Sequence, residues 1–113
     1  MINFLLAMAF GTLSDEAIPD PQTYYHQAVA CAASAHIQQE STPPADEGEF
    51  TTLDGEILTW GVIAGHVGPA AGRSSVDVDW NDLDRAIPLF REMQERKPEA
   101  FAAHRAYCRA FLP

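Results

Sequence analysis

Apolar positions along the chain recur mainly at intervals of three and four residues, which is the spacing of one face of an α-helix. The clearest runs fall in four stretches, which we predict to be helices at 21–39, 52–67, 80–96 and 98–111. Loops of moderate length between such helices favour antiparallel neighbours. The sequence therefore predicts an all-α fold, a small antiparallel bundle of about four helices.

The first of these stretches has a well-defined start. Asp20 can accept hydrogen bonds from the N–H groups of the first turn, and Pro21 suits the first helical position. Small residues along the stretch would let another helix approach closely. Cys31 lies in the middle of the predicted apolar face, so we expect a partner helix to pack over it.

The second stretch allows two interpretations. Asp54-Gly55 between apolar flanks is a hairpin signal, which would make 50–60 a β-hairpin. The helical spacing of the apolar residues is the cleaner pattern, and Thr51 or Thr52 could cap the helix. We favour the helix, with the hairpin as the alternative.

The third stretch is predicted to follow an extended segment that ends at Asp79. Asp79 would cap this helix, and Pro88 inside it predicts a kink or two short helices meeting at Ile87. Pro98 is predicted to begin the last helix. The predicted core comprises Tyr24, Ala28, Cys31, Ala35, Leu53, Ile57, Trp60, Val67, Leu83, Ile87, Phe90, Phe101, Cys108 and Phe111.

Charge divides the chain into two parts. Residues 1–72 hold nine carboxylates and no Lys or Arg, whereas residues 73–113 hold seven charges of each sign, giving a net charge of −9. Such a chain repels phosphate groups, so we expect no nucleic-acid partner and no anionic membrane partner. Solubility alone is the interpretation of this charge that we favour, and a basic protein partner or a cation is the alternative.

The N-terminal residues 1–14 form a short apolar run that ends before Asp15. It has about the length of a signal-peptide core but lacks a Lys or Arg near Met1. We interpret 1–14 as a signal peptide and 20–113 as a single helical domain; a buried N-terminal segment of a cytoplasmic protein is the alternative. The uncharged stretch 57–72 is shorter than the ~20 residues of a membrane span, so the mature chain is predicted to have none.

Two cysteines, Cys31 and Cys108, lie in the first and last predicted helices. A disulfide between them would require these helices to be direct neighbours, because the Cα atoms must come within about 7 Å. It would also favour a periplasmic or secreted location. Two buried free thiols are the alternative.

Candidate chemistry is sparse. The acidic run 77–84 superficially resembles the start of a calcium loop but has Asp82 where the turn glycine belongs and Pro88 where a bidentate Glu belongs. The weak metal-ligand candidates are Asp77, Asp79, His66 and His104. No nucleophile has a base placed by the sequence, so we predict no catalytic residues and no cofactor.

These observations predict a small secreted or periplasmic helical protein that acts by protein–protein binding, as an accessory or inhibitory partner. One alternative is a metal-binding or enzymatic role built on His66, His104 and the acidic run Asp77–Asp84. Another is a structural role in the cell envelope. Binding is the favoured class, and an enzyme is the weaker one.

Overall fold

The computed structural model describes residues 20–112, where four α-helices pack into one bundle. Their bounds are Pro21–Glu40 (α1), Glu47–Val67 (α2), Leu83–Arg96 (α3) and Pro98–Ala110 (α4). A 3₁₀ turn follows α2, and a wide π-helical turn at Asp77–Asp82 leads into α3. The described residues contain no strand, so the predicted all-α bundle is confirmed and the hairpin alternative is wrong. The proposed signal peptide, 1–14, lies outside the described residues.

The central element is α1, which contacts each of the other three helices. It begins as predicted, with Asp20 accepting from the backbone N–H of Thr23 at 3.3 Å and Pro21 in the first turn. Eight of the ten residues in 28–37 are buried. Because most of them are Ala, Ser or Cys, three helices can pack around α1 at once.

The second helix begins earlier than predicted. Asp46 caps it by accepting from the backbone N–H of Glu49 at 3.2 Å, so neither Thr51 nor Thr52 is the cap. Carboxylates near a helix N-terminus are stabilised by the helix dipole, and this acidic start supplies several. Gly55 lies inside the helix.

The segment before α3 is also helical, which corrects the predicted extended conformation and the predicted cap at Asp79. Ser74 and Asp77 form a reciprocal capping box: the Ser74 N–H donates to Asp77 at 2.9 Å, and the Asp77 N–H donates to the Ser74 hydroxyl at 3.2 Å. The chain is helical from residue 75 through the π-helical turn into α3. Val78, which this turn places inward, is buried.

Pro88 does not divide α3 into two helices, since Leu83–Arg96 is one continuous element with the proline inside it. Pro88 is exposed, so the carbonyl group that its missing N–H leaves without a helical partner can bond to water. Pro98 occupies the first turn of α4, as predicted.

The core is centred on α1 and is only partly the predicted one. Phe111 is 48% exposed and lies outside it, and α3 has no fully buried side chain, because it covers α1 from the edge of the bundle. The predicted core residues that are only partly buried are Tyr24, Ile57, Leu83, Ile87 and Phe90. Those that are buried are Ala28, Cys31, Ala35, Leu53, Trp60, Val67, Phe101 and Cys108.

Cys31 and Cys108 join α1 to α4. Their sulfurs are 2.13 Å apart and their Cα atoms 5.6 Å apart, within the range of a disulfide, and both side chains are completely buried. The predicted neighbourhood of the first and last helices is therefore confirmed. None of the helices in residues 20–112 has the length and apolar character needed to span a membrane.

Candidate functional site

The candidate metal ligands from the acidic run do not form a calcium loop, because the whole run is helical. Asp77 uses its carboxylate within its own turn: it accepts from Ser74 at 2.9 Å and from the Asn81 side-chain amide at 2.9 Å. The backbone hydrogen bond from Ser74 is the main reason that the pKa of Asp77 lies below its usual value. The side chain of Asp79 lies outside the described part of the structure.

The two candidate histidines have different surroundings. His66 is exposed in the last turn of α2. His104 is half-buried on α4, with its ring 4.8 Å from that of Phe90 and its Nε2 3.4 Å from the Sγ of Cys108. Burial lowers the pKa of His104, which favours the neutral imidazole at neutral pH.

Within residues 20–112, one group of three side chains brings metal-ligand atoms together: Cys31, His104 and Cys108, whose sulfurs and ring nitrogen lie within 4.8 Å of one another. The sequence placed His104 and Cys108 one turn apart on α4, but it did not group these residues as ligands and treated Cys31 only as a disulfide partner of Cys108. Cys31 reaches the group only because α1 and α4 are neighbours. His66 is not a member of this group.

A buried ion-pair network crosses the bundle and was missed in the sequence. Glu56 is 4% exposed and binds two guanidinium groups, that of Arg105 through one oxygen and that of Arg109, at 2.5 Å, through the other. Arg105 also donates to the hydroxyl of Ser34 at 3.1 Å, and Arg109 donates to Glu49 at 3.0 Å. Because both Glu56 oxygens are engaged by cations, this carboxylate is suited to fixing the packing of α1, α2 and α4 rather than to proton transfer.

A second polar cluster fastens the π-helical turn to α1. The hydroxyl of Tyr25 donates to Asp82 at 2.6 Å, and Arg73 makes a bidentate pair with the same carboxylate, at 2.8 and 2.7 Å. Burial, followed by the hydrogen bond to Asp82, raises the pKa of Tyr25 to about 12. Burial would raise the pKa of Asp82, but the bonds from Arg73 and Tyr25 more than offset it and lower that pKa. This cluster is also structural.

One feature of the described surface that the packing of the bundle does not explain is the solvent-facing side of α2. Leu58 is 68% exposed and Val62 is 63% exposed, one turn apart. We define the outer face of α2 as the exposed stripe at spacings of three and four along this helix. Its members are Glu47, Thr51, Asp54, Leu58, Val62 and Gly65.

The glycines on this side of α2 have no packing reason within the bundle. A Cβ built at Gly55, Gly61 or Gly65 would meet nothing within 4 Å. A glycine in a helix interior costs about 1 kcal/mol relative to alanine. Three such residues in one helix, each facing open space, leave a smooth surface that a second backbone could approach closely.

Comparison with protein-family models, with curated proteins and with solved structures finds no match to this chain.

Proposed function

We propose that this protein acts by binding another protein through the outer face of α2. The observation that carries the proposal is the exposure of Leu58 and Val62 beside glycines that face open space. A helix that is apolar on all sides is ordinarily buried, and the second half of α2 has no charged side chain on any side. A partner that covers this half would bury apolar surface that the bundle leaves in water.

The two halves of the outer face indicate the chemistry of the partner. The first half carries the exposed carboxylates Glu47 and Asp54, and the second half carries Leu58 and Val62. The matching ligand is an amphipathic helix with basic residues at one end and apolar residues at the other. The division fixes its direction along α2, because reversing it would place basic side chains on the apolar half.

The net charge of −9 supports steering of such a basic partner toward α2. Arg and Lys are absent from residues 1–72, so no side chain of α2 repels a cationic ligand. The glycines contribute differently, since they let the backbone of the ligand approach and gain contact area without large side chains.

We also propose that binding takes place in the periplasm or outside the cell. The buried Cys31–Cys108 pair supports this location, because disulfides persist in oxidising compartments. Fractionation of the source cells, followed by intact-mass measurement, tests it. Oxidised protein lacking the N-terminal apolar run, recovered from the oxidising compartment, is the expected result, and reduced full-length cytoplasmic protein would contradict it.

Site-specific photo-crosslinking tests the binding proposal. Leu58 and Leu89 are both 68% exposed, on α2 and α3 respectively, so they form a matched pair for a photoreactive amino acid. We expect a discrete protein adduct from position 58 and none from position 89 when the protein is expressed in its source cells. Equal labelling from both positions would contradict a specific site on α2.

The captured partner then allows a quantitative test. Burying an exposed Leu or Val is worth roughly 1.5–3 kcal/mol, so Leu58→Ser with Val62→Ser should weaken binding by about tenfold or more. Leu89→Ser is the control and should leave the dissociation constant unchanged. Raising the salt concentration should slow association, since part of the attraction is long-range and screened.

A further inference from the structure

His104 lies beside the disulfide that joins α1 to α4, although a disulfide needs no third side chain. Both cysteine sulfurs and a ring nitrogen of His104 lie within 4.8 Å of one another, and the Nε2 of His104 is 3.4 Å from the Sγ of Cys108. Two thiolates and an imidazole are the ligand types of thiophilic metal sites. The cluster therefore holds the donor set for a metal as soon as the sulfur–sulfur bond is absent.

The spacing fits zinc once the sulfurs separate. With Zn–S near 2.3 Å and Zn–N near 2.0–2.1 Å, tetrahedral geometry places S and N about 3.6 Å apart and the two sulfurs about 3.8 Å apart. The observed S–N distance of 3.4 Å is already close to that value. The two sulfurs, which are now bonded to each other, need to separate to about 3.8 Å. Rotations of the two cysteine side chains can provide this while the Cα atoms stay in place.

The charge balance favours a divalent ion. Both sulfurs are completely buried, and burying net charge is costly. A divalent ion with two thiolates and a neutral imidazole has no net charge, whereas a monovalent copper ion would leave one negative charge. Calcium and magnesium prefer oxygen ligands. Water can fill the fourth position, on the side where His104 is partly exposed.

We propose that reduction of the Cys31–Cys108 disulfide converts this cluster into a binding site for one Zn²⁺, held by both thiolates and by the Nε2 of His104. With a phosphine as the reductant, the phosphorus takes the oxygen of one water molecule and becomes a phosphine oxide. The two sulfurs receive the electron pair and the two protons. Zinc binding then displaces both thiol protons into solution.

Zinc would thus replace the disulfide as the cross-link between α1 and α4 while the chain is reduced, for example before it reaches an oxidising compartment. The oxidised protein would not bind zinc at this site, because the sulfurs have no thiolate charge to offer. This inference does not rest on the proposed partner of α2, and its test uses no protein ligand.

The test uses purified full-length protein reduced with a phosphine under anaerobic conditions and titrated with Zn²⁺ alone. Native mass spectrometry should find one zinc per chain, and a pH indicator should report two protons released per zinc. Zinc should also raise the melting temperature of the reduced protein, or restore its helical circular dichroism if reduction unfolds it. Co²⁺ in place of Zn²⁺ should give the charge-transfer absorption of cobalt–thiolate bonds.

Two histidine variants make the result specific. His104→Gln should weaken zinc binding by at least about tenfold, because even second-shell partners of a metal site contribute that much. His66→Gln, at an exposed histidine on α2, should bind zinc as the wild type does. Absence of zinc binding by the reduced wild type would overturn the proposal, and so would equal affinity of the His104→Gln variant. Equal binding by the oxidised protein would also overturn it.

Discussion

Arg105 shows how much a single buried cation can contribute. It is 6% exposed and pairs with Glu56, whereas Arg96, in its pair with Glu92, is 76% exposed. Arg105→Met would leave one oxygen of the buried Glu56 carboxylate without its cation, while Arg109 still pairs with the other oxygen. The variant should therefore lower the free energy of unfolding by about 3 kcal/mol, the lower end of the range for breaking a buried pair. Arg96→Met should change it by less than about 0.5 kcal/mol. Urea denaturation of both variants measures the difference, and similar values for the two would contradict the network.

The hydroxyl of Tyr25 gives a pH-dependent prediction. Its pKa is raised from 10.0 to about 12 in the folded protein, so the hydroxyl ionises at a higher pH in the folded state than in the unfolded chain. The stability that this hydroxyl contributes is therefore fully present below pH ~10 and is lost as the pH rises toward ~12. Tyr25→Phe should be less stable than wild type at pH 7, by about 1.5–3 kcal/mol.

Denaturation of wild type and Tyr25→Phe between pH 7 and pH 12 checks this prediction. The difference between the two proteins should shrink above pH ~10, where the unfolded wild type gains stability by ionising. Tyr107→Phe, at an exposed tyrosine on α4, is the control for the loss of a hydroxyl. A pH-independent difference would show that Tyr25 does not titrate with folding.

The burial of the neighbouring residues Tyr24 and Tyr25 shows how far the sequence predicts the position of a single side chain. The sequence assigned Tyr24 to the core, but Tyr25 is the one that is completely buried. A helix surrounded by three others is apolar on nearly every side, so its periodicity does not define one inward face. The ion pairs of Glu56 could not be predicted for a different reason. Its two cationic partners lie 49 and 53 residues away in the chain, beyond the reach of any local pattern.

At the scale of the helix, the glycines of α2 give a prediction about the stability of the fold. Gly61→Ala and Gly65→Ala meet open space, so each should raise the free energy of unfolding by about 0.4–1 kcal/mol. Gly72→Ala is the matched contrast, because its φ of +78° disfavours any side chain and the variant should be destabilised. Thermal unfolding measures all three. Destabilisation by Gly61→Ala or Gly65→Ala would contradict the open space that the structure shows around these two glycines.

The helices themselves were predictable where capping residue and apolar spacing agreed. Asp20 before Pro21 fixed the start of α1, and Pro98 that of α4. The starts of α2 and of the helical segment before α3 were placed too late, at threonine and at Asp79 instead of at Asp46 and Ser74. Each region offers several capping residues in succession, and the apolar stripe begins only after the first of them. Local sequence therefore cannot decide which one begins the helix.

At the scale of the whole molecule, the topology decides which chemical groups meet. The bundle brings α1 beside α4, which places Cys31 against Cys108 and His104. The sequence predicted the pairing of the cysteines but joined His104 with His66 as metal candidates. His66 lies on α2 and His104 on α4, and the two are not grouped in the structure. Only the packing of α4 against α1 shows which side chains surround His104. Side chains from separate helices can be grouped only once the helices are placed.

The cross-link should carry much of the stability of this small domain. Closing a separation of 77 residues restrains the unfolded chain by roughly 4–5 kcal/mol in the loop-closure model. Cys31→Ala with Cys108→Ala should therefore lower the melting temperature by about 16–40 °C, at ~4–8 °C per kcal/mol. Phosphine-reduced wild type, held free of zinc by a chelator, should melt near the same temperature, and reoxidation should restore the original value. The double variant is the control for the reductant and should not respond to it. An unchanged melting temperature in the double variant would mean that packing around α1 holds α4 in place without the bridge.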